Sequence, residues 1–321
     1  NIKNKKTMNY ISIQDINSLS KWVKSALKIK KNPLKNQDLG KNKTLGMLFF
    51  NPSLRTRLST QVAAQNLGME PILFNVDKEG WALETQDGVI MNGTTVEHIR
   101  EAAGVMGEYC DVIGFRSFPG LMNREEDYSE GIFNKFVKFC GVPVISLESA
   151  TRHPLQSLAD LITIEELKKT AKPKVVLTWA PHVKPLPQAV ANSFAEWMNK
   201  TDYDFVITHP QGYDLAPEFV GKATVTNNQD EALAGADFVY VKNWSSYQDY
   251  GKVLTKGEGW MMTNEKIKIT NNAGVMHCLP VRRGLELSHE ILDGPNSLVL
   301  NQANNRVWAA QAVLKSILLS C

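Results

Sequence analysis

Thr44-Leu45-Gly46-Met47-Leu48-Phe49-Phe50-Asn51-Pro52-Ser53-Leu54-Arg55-Thr56-Arg57-Leu58 is the stretch whose reading decides the fold. Thr44 to Phe50 is a continuous apolar run and reads as a buried strand. Leu58 to Leu67 reads as a helix. Between them stand two hydroxyls and two guanidiniums. A turn at a helix N-terminus offers unpaired backbone N–H groups and the positive end of the helix dipole, which together attract an anion. Arginine adds a planar fork that matches phosphate oxygens two at a time. Ser53 and Thr56 can donate to the same anion. The combination predicts a phosphate cradle. The plain alternative is a strand-to-helix turn with solvated arginines and Ser53 as the cap, and spacing alone leaves both open.

Outward from this stretch the same rhythm repeats. Strands are expected at Pro71 to Val76, Val112 to Phe115 and Val142 to Leu147. Helices are expected at Ile13 to Leu27, Val96 to Met106, Asp127 to Phe139 and Leu155 to Lys169. Asp77 to Gly93 carries turn formers and reads as a long loop, a length that inside a domain is usually functional or mobile. A second series of strands follows at Lys174 to Trp179, Tyr203 to Thr208, Ala223 to Val225, Asp237 to Val241, Gly274 to His277 and Ser297 to Leu300. Helices at Leu186 to Met198, Asp230 to Gly235 and Gln302 to Leu319 alternate with them. Continuous apolar strands alternating with helices mean parallel sheets covered on both faces. The fold class is therefore α/β, with two doubly wound parallel-sheet domains: 8–152, joined by the C-terminal helix 302–319, and 153–301. The long helix from Leu155 serves as the connector.

The bulk composition agrees. A chain of 321 residues with 43% hydrophobic and 21% charged side chains can bury a sizeable core. A net charge of +3 is too small to argue for nucleic acid or a membrane surface. No apolar run is long enough to span a bilayer. The N-terminus is lysine-rich but lacks the apolar core of a targeting peptide; Met8 reads as the natural start, with Asn1 to Thr7 a leader or a disordered arm. Cys110, Cys140, Cys278 and Cys321 are scattered, which fits a reducing cytoplasm without disulfides. Histidines at ligand spacing are missing, so neither a metal nor a cofactor is expected.

In open parallel sheets, ligands sit at the carboxyl ends of strands. The chemically loaded residues recur there: Ser53, Arg55, Thr56 and Arg57, then Arg116, then Glu148 and His153, then His182, Lys242, and finally His277, Cys278 and Arg282. That recurrence predicts one shared cleft. Neither G-x-x-x-x-G-K-[ST] nor G-x-G-x-x-G occurs, which disfavours a nucleoside triphosphate or a dinucleotide, and no G-x-S-x-G elbow is present. Cys278 and His277 are strand neighbours facing opposite ways, a poor arrangement for a Cys–His relay.

Phe50-x-Pro52-Ser53-x-Arg55-Thr56-Arg57, His153-Pro154-x-Gln156 and His277-Cys278-Leu279-Pro280 resemble, in order and over nearly the whole chain, the three signatures of the carbamoyltransferases. Trp81 in Gly80-Trp81-Ala82-Leu83-Glu84-Thr85, Trp179-Ala180-Pro181-His182-Val183-Lys184-Pro185-Leu186 and Val241-Lys242-Asn243-Trp244 resemble the branch acting on N-acylated ornithine. Thr151 to Thr170 most resembles the N-succinylornithine enzymes of Bacteroidetes-like bacteria. The resemblance implies that carbamoyl phosphate rests on Ser53, the Leu54 N–H, Arg55 and Thr56, with Trp81 arriving from a neighbouring subunit, Arg306 completing the anion site and Arg57 holding the loop. Thr56, Arg116 and His153 would polarise the carbamoyl oxygen. Gln156 and the Cys278 and Leu279 carbonyls would read the amino group. Thr56, Arg116, His153 and Cys278 are thus the expected catalytic residues. The resemblance further implies a homotrimer with shared sites and a trefoil knot in the second domain, with the loop near Lys184-Pro185-Leu186-Pro187 around a threaded segment at Val241 to Leu254.

For the second substrate the candidates are Glu148, His182, Lys242 and Arg282, the last for an α-carboxylate, with Val96 as the acyl selector. The family's free-ornithine members pair the α-ammonium with an Asp and carry a Ser-Met-Gly loop after a late strand; here the corresponding strand ends Val241-Lys242-Asn243-Trp244, with no Ser-Met-Gly. Lysine repels an ammonium and accepts an amide oxygen or a carboxylate, unless it is merely a solvated loop lysine. Acetyl-preferring relatives carry glutamate at the position of Val96 and succinyl-preferring ones proline; a neutral valine does not repel a succinyl carboxylate. The expected reaction is carbamoylation of N-succinyl-L-ornithine in the cytoplasm, without nucleic acid or membrane partners. N-acetyl-L-ornithine is the alternative acceptor, and a non-catalytic phosphometabolite-binding protein is the rival class. An ordinary ornithine or aspartate carbamoyltransferase is disfavoured.

Overall fold

Apolar runs flanked by helical segments become two parallel sheets in the computed structural model, which describes residues 8–80 and 82–320. Asn1 to Thr7, Trp81 and Cys321 lie outside the described residues. Unit 1 comprises the residues up to Phe118, Ser129–Leu155 and those from Arg306 on; unit 2 comprises Pro119–Tyr128 and Gln156–Asn305.

In unit 1, β1 (Thr44–Phe49), β2 (Glu70–Asn75), β3 (Leu83–Glu84), β4 (Glu97–His98), β5 (Val112–Arg116) and β6 (Val144–Glu148) appear in that order. Four of them form a sheet in the order β2-β1-β5-β6, and β3 pairs with β4 alone. All these pairings are parallel. Both faces of the four-stranded sheet are packed, so β1, β5 and β6 carry little polarity. Phe115 stacks on Phe136 with centroids 4.3 Å apart, within a core that includes Leu48, Ile99, Ile113, Phe133 and Val144. Each such large side chain contributes about 1.5–3 kcal/mol on burial. Gly46 in β1 has no room to change: a Cβ there would lie 2.6 Å from the Cys110 sulfur.

Unit 2 holds β7 (Lys174–Ala180), β8 (Asp204–Thr208), β9 (Thr224–Thr226), β10 (Phe238–Asn243) and β11 (Gly274–Met276). They form a parallel sheet in the order β11-β10-β7-β8-β9. Its core gathers Val176, Val206, Leu233, Val239, Val241, Val275 and Leu287. The helix Val299–Ser320 crosses the boundary between the units at Asn305 and Arg306. Beyond that boundary Gln311 bonds Asn66 at 3.0 Å and the Pro33 carbonyl at 2.6 Å, tying the last helix into unit 1.

The structure corrects several boundaries. The expected helix from Ile13 is a 3-10 turn, Ile13–Asp15, closed by a Ser12 capping box, and the helix proper is Leu19–Lys31, capped by Ser18. Two serine caps in succession make two starts. The helix after β1 runs Arg55–Asn66 and so begins before Leu58, because the Ser53 hydroxyl accepts the Thr56 N–H at 3.3 Å and lets the first turn close over the arginines. The loop expected at Asp77 to Gly93 begins within the short helix Val76–Glu79 and contains β3. The helix expected at Asp127 to Phe139 is broken into Arg124–Ser129 and Gly131–Phe139 by Glu130 in a left-handed conformation, φ 53°. The strand expected at Ser297 to Leu300 reduces to one bridge, Val275 to Ser297, and the last helix starts at Val299. Three apolar residues in a row, Leu298 to Leu300, fit a strand or a helix turn equally well.

Candidate active site

In unit 1 the functional groups gather where β1, β5 and β6 end. Register places Phe49 opposite Arg116, and the Phe50 N–H donates to the Arg116 carbonyl at 3.1 Å. Asn51 accepts the Phe118 N–H at 2.7 Å, pinning the turn after β1 to the segment after β5. Thr56 is buried on the first turn of its helix, and its hydroxyl accepts Arg306 Nη2 at 2.9 Å. Thr56 and Arg306, 250 positions apart, are thereby joined, with Ser53 one turn back. Arg57 lies over the Phe49 ring at 5.9 Å, against the loop.

The neighbouring strand ends carry a second cluster. The β5–β6 register slips between Phe115 and Arg116, so that Leu147 is passed over and Arg116 faces Glu148. A bulge re-aims side chains; here it joins the Arg116 Nη1 to the Glu148 carboxylate and, at 3.2 Å, to the Leu147 carbonyl. His153 Nε2 is 3.6 Å from the same carboxylate. All three side chains are buried. The Arg116 guanidinium also lies 4.3 Å from the Phe118 ring centroid. Glu148 has φ 140°, a backbone setting that non-glycine residues take up chiefly at functional sites. The turn that follows is held by Glu130, whose carboxylate accepts from Ser149 Oγ, the Ala150 and Thr151 N–H groups and Thr151 Oγ1 at 2.6–3.1 Å.

Unit 2 gathers the other predicted residues. Gln156 donates its amide to Asp160 Oδ1 at 2.8 Å; a carboxylate only accepts, so this contact fixes which way the amide points. Gln302 donates to the same oxygen at 2.8 Å and accepts the His277 N–H at 2.8 Å. Leu279, at φ 60° and followed by a cis peptide to Pro280, turns the chain after β11. Arg282 Nε donates to His182 Nε2 at 3.0 Å, and His182 Nδ1 lies 2.8 Å from the Lys184 carbonyl and 3.2 Å from the Lys184 nitrogen. Burial, with the charges of Arg282 and Lys242, holds His182 below its ordinary pKa despite the opposing Lys184 carbonyl and Glu286. Lys242, opposite Trp179 on β10, is buried with its ammonium 2.6 Å from the Asn243 side-chain oxygen; it is not a solvated loop lysine.

The expected positions thus divide by unit. Ser53, Leu54, Arg55, Thr56, Arg116, Glu148, His153 and Arg306 belong to unit 1, and Gln156, His182, Lys242, Cys278, Leu279 and Arg282 to unit 2. Within unit 1, Glu148 keeps company with Arg116 and His153. Val96 is 65% exposed, just before β4. Trp81 lies outside the described residues. Sequence reading missed Glu130, Asp160, Glu286 and Gln302. Asp160 left one trace, its four-residue spacing from Gln156 on one helix face. Among the described residues no group of His, Cys, Asp and Glu could hold a metal ion, and no helix is long and apolar enough to cross a membrane.

Residues 8–166 match the aspartate/ornithine carbamoyltransferase carbamoyl-P binding domain, and residues 187–317 match the Asp/Orn binding domain of the same family. The chain is 55% identical over 311 residues to the N-succinylornithine carbamoyltransferase of Bacteroides thetaiotaomicron, covering 96% of this chain and 98% of that one. It is 34% identical to the N-acetylornithine carbamoyltransferase of Xanthomonas axonopodis pv. citri, covering 86% and 87%. A solved N-acetyl-L-ornithine transcarbamylase variant with valine in place of a glutamate, complexed with carbamyl phosphate and N-succinyl-L-norvaline, superposes with a TM-score of 0.91 at 32% identity, covering 96% of this chain and 99% of that one.

Proposed function

We propose that this chain, which belongs to the aspartate/ornithine carbamoyltransferase family, moves the carbamoyl group of carbamoyl phosphate to the δ-amine of N-succinyl-L-ornithine. The products are N-succinyl-L-citrulline and phosphate, and the step belongs to arginine biosynthesis. The amine lone pair attacks the carbamoyl carbon, the carbon–oxygen bond to phosphate breaks, and the departing phosphate takes the proton the amine sheds. No covalent enzyme intermediate is required. Ser53, the Leu54 N–H, Arg55, Thr56 and Arg306 hold the phosphate. Arg116, His153 and Thr56 face the carbamoyl oxygen, where charge grows in the transition state; donors fixed in advance on such an oxygen supply much of an enzyme's acceleration. Gln156 and the Cys278 and Leu279 carbonyls take the carbamoyl amino group. His182, Lys242 and Arg282 serve the acylornithine.

The observation that carries the acylated substrate is the buried ammonium of Lys242 at the end of β10. Two like charges about 4 Å apart repel by about 4 kcal/mol at an effective dielectric near 20, which free ornithine would have to overcome and a blocked α-nitrogen would not. The succinyl preference is supported by the 55% identity to an enzyme named for that substrate, by neutral Val96, and by the N-succinyl-L-norvaline complex of a valine-for-glutamate variant of an acetylornithine enzyme. We place the enzyme in the cytoplasm as a homotrimer with shared active sites. Leu58 and Val62, 55% and 42% exposed and one helix turn apart, form the kind of apolar stripe a subunit contact covers. A knot in unit 2 is part of the same reading, supported by contacts of Ser245 with the Leu186 carbonyl and Gln188 at 2.9 and 2.6 Å.

Steady-state citrulline formation with N-succinyl-, N-acetyl- and free ornithine tests the reading. N-succinyl-L-ornithine is expected to lead by at least about tenfold, a difference of about 1.4 kcal/mol in transition-state binding, with free ornithine inert. A lead for N-acetylornithine would move the assignment to that acceptor, and no turnover with any, or turnover unaffected by Arg55→Ala, would leave a binding protein or overturn the cradle. Val96→Glu is expected to invert the preference. It sets a carboxylate against the succinyl carboxylate, so the succinyl kcat/KM should fall about ten- to a hundredfold while the acetyl value holds within about threefold. An unchanged ratio would remove Val96 from acyl selection.

A further inference from the structure

One buried carboxylate of unit 2 has no part in the chemistry above, yet its side-chain hydrogen bonds reach His277 and Arg282, at the two ends of the turn that carries the Cys278 and Leu279 carbonyls. Glu286 is 1% exposed. Its Oε2 lies 2.6 Å from His277 Nε2, and its Oε1 accepts the Arg282 N–H at 3.1 Å. The other nitrogen of His277, Nδ1, accepts the Leu279 N–H at 2.9 Å. A backbone N–H only donates, so His277 Nδ1 is bare and the proton sits on Nε2, aimed at Glu286. The carboxylate therefore sets the tautomer, the tautomer holds the Leu279 N–H, and the same carboxylate holds Arg282 directly.

We infer that Glu286 is a positioning residue for carbamoyl transfer, clamping the turn from His277 to Arg282 at both ends so that the Cys278 and Leu279 carbonyls and the Arg282 guanidinium keep one geometry. The inference rests on the proposed carbamoyltransferase reading for its kinetic consequence, but the clamp itself is a statement about hydrogen bonds. A turn with a left-handed non-glycine residue at Leu279, φ 60°, needs such external holds. Burial pushes the Glu286 carboxyl upward, and the His277 contact, the Lys242 charge and the Arg282 N–H together overcome it, leaving the group below its ordinary value and ionised at neutral pH. Two acceptor oxygens facing two donors is a pattern that only a carboxylate fits. Glutamine offers one acceptor end and one donor end. If its oxygen met Arg282, its amide would force the His277 proton onto Nδ1, against the Leu279 N–H; if its oxygen met His277, its amide would confront the Arg282 N–H.

Glu286→Gln is therefore expected to lower kcat/KM about 30-fold, the size of one lost charge-assisted hydrogen bond. The KM for acylornithine should rise through Arg282, and Glu286→Asp, which keeps both acceptors, should recover part of the loss. Imidazole 15N spectra of the full chain read the clamp without reference to turnover: His277 should be protonated on Nε2 in the wild type and lose that signature in Glu286→Gln. If no ornithine is turned over, the assigned reaction fails while the tautomer still decides the clamp. Kinetics of a folded Glu286→Gln within about twofold of wild type, or an unchanged 15N spectrum, overturns the inference. Should that variant fail to fold, His277→Asn and His277→Gln decide it. Asparagine places an oxygen near the Nδ1 position and keeps the Leu279 hold, whereas glutamine reaches only toward Glu286. His277→Asn should be the more active, and the reverse order overturns the clamp.

Discussion

Arg116→Ala is expected to lower kcat/KM for carbamoyl transfer by at least about a thousandfold and to destabilise unit 1 as well. Removing one donor from an oxyanion site alone costs roughly a hundred- to a thousandfold. Arg116 carries a second burden, because its Nη1 is the ion-pair partner of buried Glu148. Removing one member of a buried pair leaves the other uncompensated, at about 3–5 kcal/mol. The stranded carboxylate would also stand where the proposed substrate brings its own negative charge. Arg116→Lys retains the charge but not the fork that reaches both Glu148 and the Leu147 carbonyl, and should recover little. Initial rates of citrulline formation beside thermal unfolding separate the two effects: Arg116→Ala combined with Glu148→Gln should regain stability and stay inactive. A single variant within about tenfold of wild-type kcat/KM would take Arg116 out of the reaction.

Glu130→Ala is expected to cost about 3–5 kcal/mol, through four donors that lose their acceptor, each worth about 1–3 kcal/mol if left dry and less where water enters. For a chain of this size that lowers the melting temperature by roughly 10 °C. The donors belong to Ser149, Ala150 and Thr151, immediately before His153, so the loss should also appear as an approximately tenfold drop in kcat with little change in KM for carbamoyl phosphate. Glu130→Gln, with one oxygen left, should fall between. A melting temperature equal to wild type would show that the turn is held by other contacts.

The contrast between these two sites and the cradle explains what the sequence could disclose. β1, β5, β6 and β7 were legible because buried parallel strands are continuous apolar runs, and Ser53 to Arg57 was legible because its groups are adjacent in the chain. The start of the last helix was not, since Ser297-Leu298-Val299-Leu300 has no period that separates strand from helix turn. Lys242 was visible as a residue but not as a buried one; burial depends on β10 lying between β7 and β11. Glu148 was visible at a strand end, but its partnership with Arg116 comes from a one-residue slip in register that neither strand encodes by itself. Glu130 and Glu286 look like ordinary surface carboxylates, and their bonds run to residues fixed only by the folded path. The side chains proposed to meet the substrates are ones the sequence displays, while the carboxylates that hold them in the fold are not.

The last helix has a consequence for how the protein comes into being. Unit 1 starts the chain, yet it takes its residues from Arg306 on out of that helix, and Thr56 gains its Arg306 contact from there. On a ribosome adding about 5–20 residues per second, roughly eight to thirty seconds pass between the emergence of Leu155 and that of Arg306. The larger part of unit 2, Gln156–Asn305, emerges in that interval. Unit 1 is thus completed only after most of unit 2 has been made, and a nascent chain lacks the Arg306 contact to Thr56 until then. Truncation within the final helix would remove part of the oldest unit rather than an appendage.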